Sequence, residues 1–284
     1  MLKKASKFLI YLILVNTYLY VYSKIIQNES ELLEIISKKD TTIEINIDSL
    51  ININTNIIIN NSIEKISFIG NSIETSSIVF SDSSHQLYFN KNVKEIELKN
   101  LSIIGNIYFN NNENILVDSV SLSGNINSDF TIKNEKFIIN NFIYNTTSFP
   151  SHNCIEIGGN VNIFNSTFRG SSYCDKRLMN YKGLDKYTLS ISESLFSGEY
   201  SIPCLNIDYG LDIKISDSIF EKSYASESFE NGSPISIYGS VTNIYNCTFR
   251  DNIGIKGGSF YLYNFNKFNA NTLNIYNTTA IYKV

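Results

Sequence analysis

The chain has 284 residues, of which 43% are hydrophobic and 18% are charged, and its formal net charge is −4. This hydrophobic content is enough to fill a core, and the length allows one or two domains. The charge is weakly acidic and no basic patch is present, which argues against nucleic acid or anionic lipid as a partner.

The N-terminus has the pattern of a secretory signal peptide. Three lysines precede an apolar run over residues 8–15, and Val-Tyr-Ser at 21–23 offers a cleavage site. We therefore expect a signal peptide at 1–23 and a protein that is secreted or displayed at the cell surface, without a membrane span after cleavage. An uncleaved membrane anchor is the alternative, although the run is shorter than the ~20 apolar residues of a spanning helix.

A short helix is predicted within residues 24–40. Asn28 and Glu31 have the spacing of a capping box, and apolar residues and two lysines follow. Its expected role is to cover the first turn of the structure that follows. From Thr42 onward isoleucines alternate with polar residues, which is typical of a strand with one buried face.

Two apolar positions, five residues apart, then recur at irregular intervals. The first position holds Ile63, Leu98, Val117, Ile138, Ile163, Ile191, Ile215, Ile244 and Ile275. The second position holds Phe68, Ile103, Leu122, Ile143, Phe168, Phe196, Phe220, Phe249 and Ala280. A fixed offset within units of variable length is typical of stacked β-coils. We predict an all-β fold, a right-handed parallel β-helix (a solenoid) of about nine coils over residues 41–284, with an N-terminal capping helix and an uncapped C-terminal coil.

A tight bend is predicted between the two columns, because the inward-facing parity changes there. A residue that tolerates the left-handed conformation is required, and Asn does so. The bend position holds Asn100, Asn140, Asn165, Asn246 and Asn277, with Ser119, Glu193 and Asp217 as substitutes. Asn side chains stacked at this position are expected to form a hydrogen-bonded ladder from coil to coil.

One unit carries a family resemblance. Residues 247–252 (Cys-Thr-Phe-Arg-Asp-Asn), followed by 257–260 (Gly-Gly-Ser-Phe), resemble the F-x-x-N…G-G-x-I repeat of polymorphic outer-membrane and autotransporter adhesins. More broadly, the coils are similar to right-handed parallel β-helix repeats of the pectin-lyase-like superfamily. The units at Phe168, Phe196 and Phe220 keep the phenylalanine but lack the asparagine and the glycine pair. The resemblance implies either an adhesive surface module or a polysaccharide-degrading enzyme.

The enzyme signatures that this resemblance would bring are missing. A polygalacturonase-like hydrolase has adjacent aspartates and a Gly-His-Gly motif, whereas His85 and His152 have other neighbours and no two aspartates are adjacent. A pectate-lyase-like site often has Arg-x-x-Pro, and none of Arg169, Arg177 and Arg250 is followed by such a proline. We therefore assign no catalytic residue, cofactor or metal ligand.

Catalysis nevertheless stays open as an alternative. Acids such as Asp208, Asp212 and Asp217 could converge in space, and two carboxylates on neighbouring coils suffice for glycoside hydrolysis. Scattered, solvated surface acids are the simpler interpretation. Three or more acids, or acids with Lys or Arg, in one groove would favour an enzyme.

The four cysteines are even in number, and in a secreted chain they predict one or two disulfides. They are Cys154, Cys174, Cys204 and Cys247, for which three pairings are open. A buried free thiol is the alternative for Cys247, because other units have serine at its position.

Four residues are candidates for contact with a ligand. Arg169 and Arg250 each follow a column phenylalanine, so they are expected to point outward at related positions, where acidic sugars could bind. Tyr261 and Tyr263, with phenylalanines nearby, could stack against sugar rings. Solvated charges and ordinary strand tyrosines are the respective alternatives.

Eight N-x-S/T sequons occur, and several of them lie in the bend column, where a ladder would compete with a glycan. Those expected in loops or at an end are Asn28, Asn145 and Asn231. The preferred hypothesis is a secreted, non-catalytic β-helix module that binds carbohydrate or protein along its side. The alternatives are a divergent lyase or hydrolase acting on acidic polysaccharide, and a structural spacer or fragment with an end-to-end partner at its last coil.

Overall fold

The computed structural model describes residues 22–38, 40–59, 63–130, 136–146, 154–225 and 234–281. Within these ranges the chain forms a parallel β-solenoid of about nine coils with one short helix near the N-terminus, so the predicted fold class is confirmed. Of the predicted signal peptide, residues 1–21 lie outside the described residues. None of the helices described is long and apolar enough to cross a bilayer.

The coils share three faces. The third face is a nine-stranded sheet, which consists of β4 (Ile57–Ile59), β7 (Gln86–Phe89), β9 (Asn106–Asn110), β11 (Ile126–Asp129), β14 (Ile155–Gly158), β17 (Met179–Lys182), β20 (Leu205–Asp208), β23 (Ile235–Tyr238) and β26 (Phe260–Tyr263). A separate pair joins β25 (Ile253–Gly254) to β28 (Thr279–Ala280).

The first and second faces form one continuous sheet of 17 strands. Its strands are β1 (Tyr22–Ile26), β2 (Thr42–Ile47), β3 (Leu50–Ile53), β5 (Lys65–Gly70), β6 (Ser77–Phe80), β8 (Glu95–Ile104), β10 (Asn114–Ser123), β12 (Lys136–Asn140), β13 (Ile143–Asn145), β15 (Val161–Phe164), β16 (Thr167–Arg169), β18 (Thr188–Ser192), β19 (Leu195–Ser197), β21 (Asp212–Ser216), β22 (Ile219–Glu221), β24 (Val241–Arg250) and β27 (Lys267–Tyr276). The two faces are continuous because β8, β10, β24 and β27 each run through the bend between them.

In eight successive coils the residue at that bend adopts the left-handed backbone conformation. The residues are Asn100, Ser119, Asn141, Asn165, Glu193, Asp217, Asn246 and Thr272, with φ between 44° and 55°. The prediction was wrong at two positions, since Asn141 and Thr272 occupy the bend in place of Asn140 and Asn277. Side chains link neighbouring coils here, as where Asn165 donates a hydrogen bond to Asn141 at 2.7 Å.

The two inward columns keep the predicted five-residue offset over the same eight coils. The first runs through Leu98, Val117, Ile139, Ile163, Ile191, Ile215, Ile244 and Ala270. The second runs through Ile103, Leu122, Tyr144, Phe168, Phe196, Phe220, Phe249 and Ile275.

Three predicted pairs were out of register. Ile138 with Ile143 is displaced by one residue, because uninterrupted apolar runs around both positions hide which residues point inward. Phe68 aligns with Leu98 and therefore belongs to the first column, so its pairing with Ile63 was wrong. Ile275 belongs to the second column, and Ala280 lies in β28.

The core of the later coils is a stack of phenylalanine rings. Phe168, Phe196, Phe220 and Phe249 are fully buried, and successive ring centroids are 4.6, 5.1 and 5.2 Å apart with nearly parallel planes. Such offset stacking adds to the burial of apolar area. The stack fixes the register between coils.

A ladder of buried hydroxyl groups runs beside this stack. The Ser194 hydroxyl accepts from the backbone N–H of Ser166 at 3.2 Å, and the Ser218 hydroxyl accepts from that of Ser194 at 3.1 Å. Cys247 takes the next position, with its thiol 3.3 Å from the carbonyl oxygen of Tyr245. These side chains pair backbone groups that would otherwise be unsatisfied at the buried corner.

The first coil is covered as predicted, by helix α1 (Glu29–Ile36). The Asn28 side chain caps it by accepting from the Glu31 N–H at 3.0 Å, and Leu32, Ile35 and Ile36 are buried. The sequence did not reveal that β1 precedes the helix and pairs with β2. At the other end, β27 pairs with β24, and no described residue pairs with its outer edge.

One disulfide joins Cys154 to Cys174, whose Cα atoms are 5.3 Å apart. Cys204 and Cys247 are free and buried, which confirms the alternative of a buried thiol for Cys247 and shows the same for Cys204. Burial raises the pKa of Cys204 to about 12 and that of Cys247 to about 11. Both thiols are therefore protonated and unreactive near neutral pH.

Candidate functional site

The outward side chains of the third face form two columns with aromatic residues towards both ends. The first column runs through Ile58, Tyr88, Tyr108, Asn127, Glu156, Asn180, Asn206, Ser236 and Tyr261. The second contains Asn110, Asp129, Gly158, Lys182, Asp208, Tyr238 and Tyr263. Amides and charged groups lie between the tyrosines.

A groove follows these columns. It consists of a pocket of about 420 Å³ that extends from Tyr108 and an adjoining pocket of about 350 Å³ that extends to Tyr238. Both pockets are lined by Lys182 and Leu184, so they adjoin at these two residues. Their volumes are in the range of ordinary ligand sites. We call this feature, from Tyr108 to Tyr238, the groove.

The tyrosines at the end of the groove near β9 are held rigidly. The rings of Tyr88 and Tyr108 stack with centroids 5.0 Å apart and planes 15° from parallel. Asn110 donates a hydrogen bond to the Tyr88 hydroxyl at 2.7 Å. This pair gives a planar apolar surface with polar edges.

The other end is built around Tyr238. Its ring lies 4.5 Å from that of Tyr263 and 6.2 Å from that of Tyr209. The backbone of Tyr209 is in the left-handed conformation, with φ at 53°, and this conformation costs a bulky residue ~1–2 kcal/mol. Gly239 makes room for it, since a Cβ there would lie 2.5 Å from the Tyr209 ring. This fit fixes the Tyr209 ring beside that of Tyr238 at this end of the groove.

Charged groups line the centre of the groove. Lys182 forms an ion pair with Glu156 on the preceding strand, and Asn206 donates to Asn180 at 2.8 Å. Burial raises the pKa of the Asp208 carboxyl, since the charged form is poorly hydrated there. Within the described ranges, no three His, Cys, Asp or Glu side chains lie close enough together to bind a metal ion.

The candidate residues from the sequence are divided between faces. Tyr261 and Tyr263 lie on the third face, beyond Tyr238. Arg169 and Arg250 lie on the second face, in one outward column, as expected from their positions. Their guanidinium groups pair with Glu199 at 2.8 Å and with Glu221 at 2.7 Å, so both are engaged within the protein.

The aspartates considered together do not converge. Asp208 lies in the groove, whereas Asp212 pairs with Lys214 on the first face at 2.8 Å and Asp217 is a bend residue. Of the sequon asparagines, Asn145 is exposed on the second face, while Asn231 lies outside the described residues.

A smaller pocket of about 140 Å³ lies on the first face beside Lys65, Glu95 and Glu97. Lys65 pairs with Glu95 at 2.9 Å, and Glu97 accepts from Ser67 at 3.0 Å. Its polar groups bind one another, so it is a weaker candidate than the groove.

Sequence reasoning missed most of the groove. The two-column pattern follows the first and second faces, and loops of variable length separate them from the third. A usable signal was present in Leu87-Tyr88-Phe89 and Ile107-Tyr108-Phe109, where an outward tyrosine lies between two buried residues.

In comparisons with known proteins, no family model, no curated protein and no solved structure matches this chain.

Proposed function

We propose that the protein is a secreted or cell-surface module that binds carbohydrate in the groove and does not cleave it. The observation that supports this most is the placement of tyrosine rings at both ends of a groove whose lining includes the Asn127 amide and the carboxylates of Asp129, Glu156 and Asp208. Sugar rings present an apolar face to aromatic side chains, and their hydroxyls bind amides and carboxylates.

The disulfide supports the extracellular part of the proposal. Disulfides persist in oxidising compartments, and this one agrees with the signal pattern at 1–23. The same proposal includes N-glycosylation of Asn28, Asn145 and Asn231. It also includes right-handed winding of the coils and membership of the pectin-lyase-like superfamily. Right-handed crossovers are the general rule for parallel strands.

A glycan array with three proteins tests the proposal. The wild type should bind a subset of glycans, and Tyr238→Ala should lose most of that signal because the Tyr238 ring is removed from the groove. Tyr245→Ala is the matched control, since Tyr245 is 48% exposed on the first face. No bound glycan, or equal loss in both variants, would count against the groove.

A glycoside hydrolase is the second candidate. Glu156 and Asp208 line one groove, the raised pKa of Asp208 suits a general acid, and Glu156 forms an ion pair with Lys182. Release of reducing sugar from polysaccharides by the wild type, lost in Asp208→Asn and kept in Asp212→Asn, would establish this activity. Product release unaffected by Asp208→Asn would exclude this site.

A further inference from the structure

We infer that the groove binds a linear, uncharged oligosaccharide that lies along the solenoid axis and contacts the tyrosines at both ends. This inference rests on the proposed function, to which it adds the length, direction and charge of the ligand.

The direction follows from the positions of the tyrosines. Tyr108 lies on β9 and Tyr238 on β23, five strand spacings along the sheet. Stacked strands are ~4.8 Å apart, which places the two positions ~24 Å from each other. The two pockets between these positions meet at Lys182 and Leu184. A disaccharide is too short to contact both ends, whereas an extended oligosaccharide can.

The charge follows from the groups that face the groove. Asp129, Glu156 and Asp208 oppose a single lysine in its lining, and that lysine already pairs with Glu156. Arg177 attracts Asp208, but it is only partly exposed and lines neither pocket. A sugar carboxylate would therefore meet carboxylates in a partly desolvated site, where like charges repel strongly. Arg169 and Arg250 cannot compensate, because they lie on the second face.

The polar column between the tyrosines matches sugar hydroxyls. Asn127, Asn180 and Asn206 follow one another with only Glu156 between them, and the next residue of this column, Ser236, is buried. Amides and hydroxyls both donate and accept hydrogen bonds, as sugar hydroxyls do. A neutral chain can exchange hydrogen bonds with the remaining donor and acceptor capacity of these three amides.

Isothermal titration calorimetry with defined probes tests the inference. The probes are the disaccharide and hexasaccharide of the cellulose, xylan, mannan and chitin series, together with hexagalacturonic acid. For at least one neutral series the hexasaccharide should bind at least tenfold more tightly than the disaccharide, because it engages both ends (about 1.4 kcal/mol or more). Hexagalacturonic acid should bind more weakly than that hexasaccharide.

Variants separate the two ends. Tyr108→Ala should weaken hexasaccharide binding about tenfold and leave the affinity for the disaccharide unchanged if that ligand binds at Tyr238. Tyr238→Ala should weaken both, and Tyr245→Ala neither. Tyr108→Leu and Tyr238→Leu serve where the alanine variants do not fold, as judged by circular dichroism.

The outcomes distinguish two failures. Equal affinity for disaccharide and hexasaccharide, or a Tyr108→Ala variant with wild-type affinity, would overturn the lengthwise placement while leaving glycan binding at Tyr238. Binding of hexagalacturonic acid as tight as that of the best neutral hexasaccharide would overturn the charge selection. Binding of none of the probes, or binding unaffected by both tyrosine variants, would refute the proposed function itself.

Discussion

Replacement of Phe196 by alanine tests coil stacking quantitatively. Its ring is fully buried and lies 4.6 Å from that of Phe168 and 5.1 Å from that of Phe220. Phe196→Ala removes contacts with both neighbouring coils and leaves a cavity, so the free energy of unfolding should fall by about 3–5 kcal/mol. Phe265→Ala is the control, because its side chain is 49% exposed and should change stability by no more than ~0.5 kcal/mol.

Double-mutant cycles extend this test to the order of the coils. Phe196 and Phe220 are stacked, so their alanine variants should couple by about 0.5–1.5 kcal/mol. Phe168 and Phe249 are three strand spacings apart, ~14 Å, and their effects should add to within about 0.5 kcal/mol.

Urea unfolding followed by circular dichroism provides all of these values. A loss below ~1 kcal/mol for Phe196→Ala would show that this ring is not enclosed between two others. Equal coupling for the near pair and the distant pair would contradict the nearest-neighbour arrangement of a solenoid.

Three further predictions concern single positions. Cys247→Ser should change the free energy of unfolding by no more than ~1 kcal/mol, because its hydroxyl extends the serine ladder. In Cys247→Ala the free energy of unfolding, measured by urea titration, should fall by ~1–3 kcal/mol. Thr272→Asn should raise the thermal midpoint, since it relieves a β-branched residue at φ 54° by about 1 kcal/mol, and an unchanged midpoint would contradict this. Because the pKa of Asp208 is raised in the native state, that state binds the Asp208 proton more tightly than the unfolded state does. The free energy of unfolding of the wild type should therefore fall, relative to that of Asp208→Asn, as the pH rises from 3.8 through the native pKa. A pH-independent difference between these two proteins would show that Asp208 is not buried in this way.

The sequence contained enough information to predict the fold class, the capping helix and most of the bend. These features depend on local patterns, such as Asn28 with Glu31 and the offset from Ile163 to Phe168. The pattern became ambiguous where apolar residues follow one another, as at Phe137-Ile138-Ile139, and there the register was wrong.

The candidate site was much less predictable. Lys182 follows Glu156 by 26 residues, and Asp208 follows Lys182 by another 26. These side chains become neighbours only when three coils are aligned. Their alignment depends on loop lengths that show no regular pattern. The partners of Arg169 and Arg250 were hidden for the same reason, since Glu199 and Glu221 lie on other coils.

Engineered cysteine pairs test most directly whether the coils align these residues on one face. Asn180 and Asn206 are partners in adjacent parallel strands, so their Cα atoms are ~4.8 Å apart, within the range for a disulfide. Asn180→Cys with Asn206→Cys should therefore cross-link under mild oxidation, as judged by mass spectrometry of peptides. Asn180→Cys with Ser236→Cys, two spacings apart, should not. A cross-link in the second pair and none in the first would contradict the register on which the groove depends.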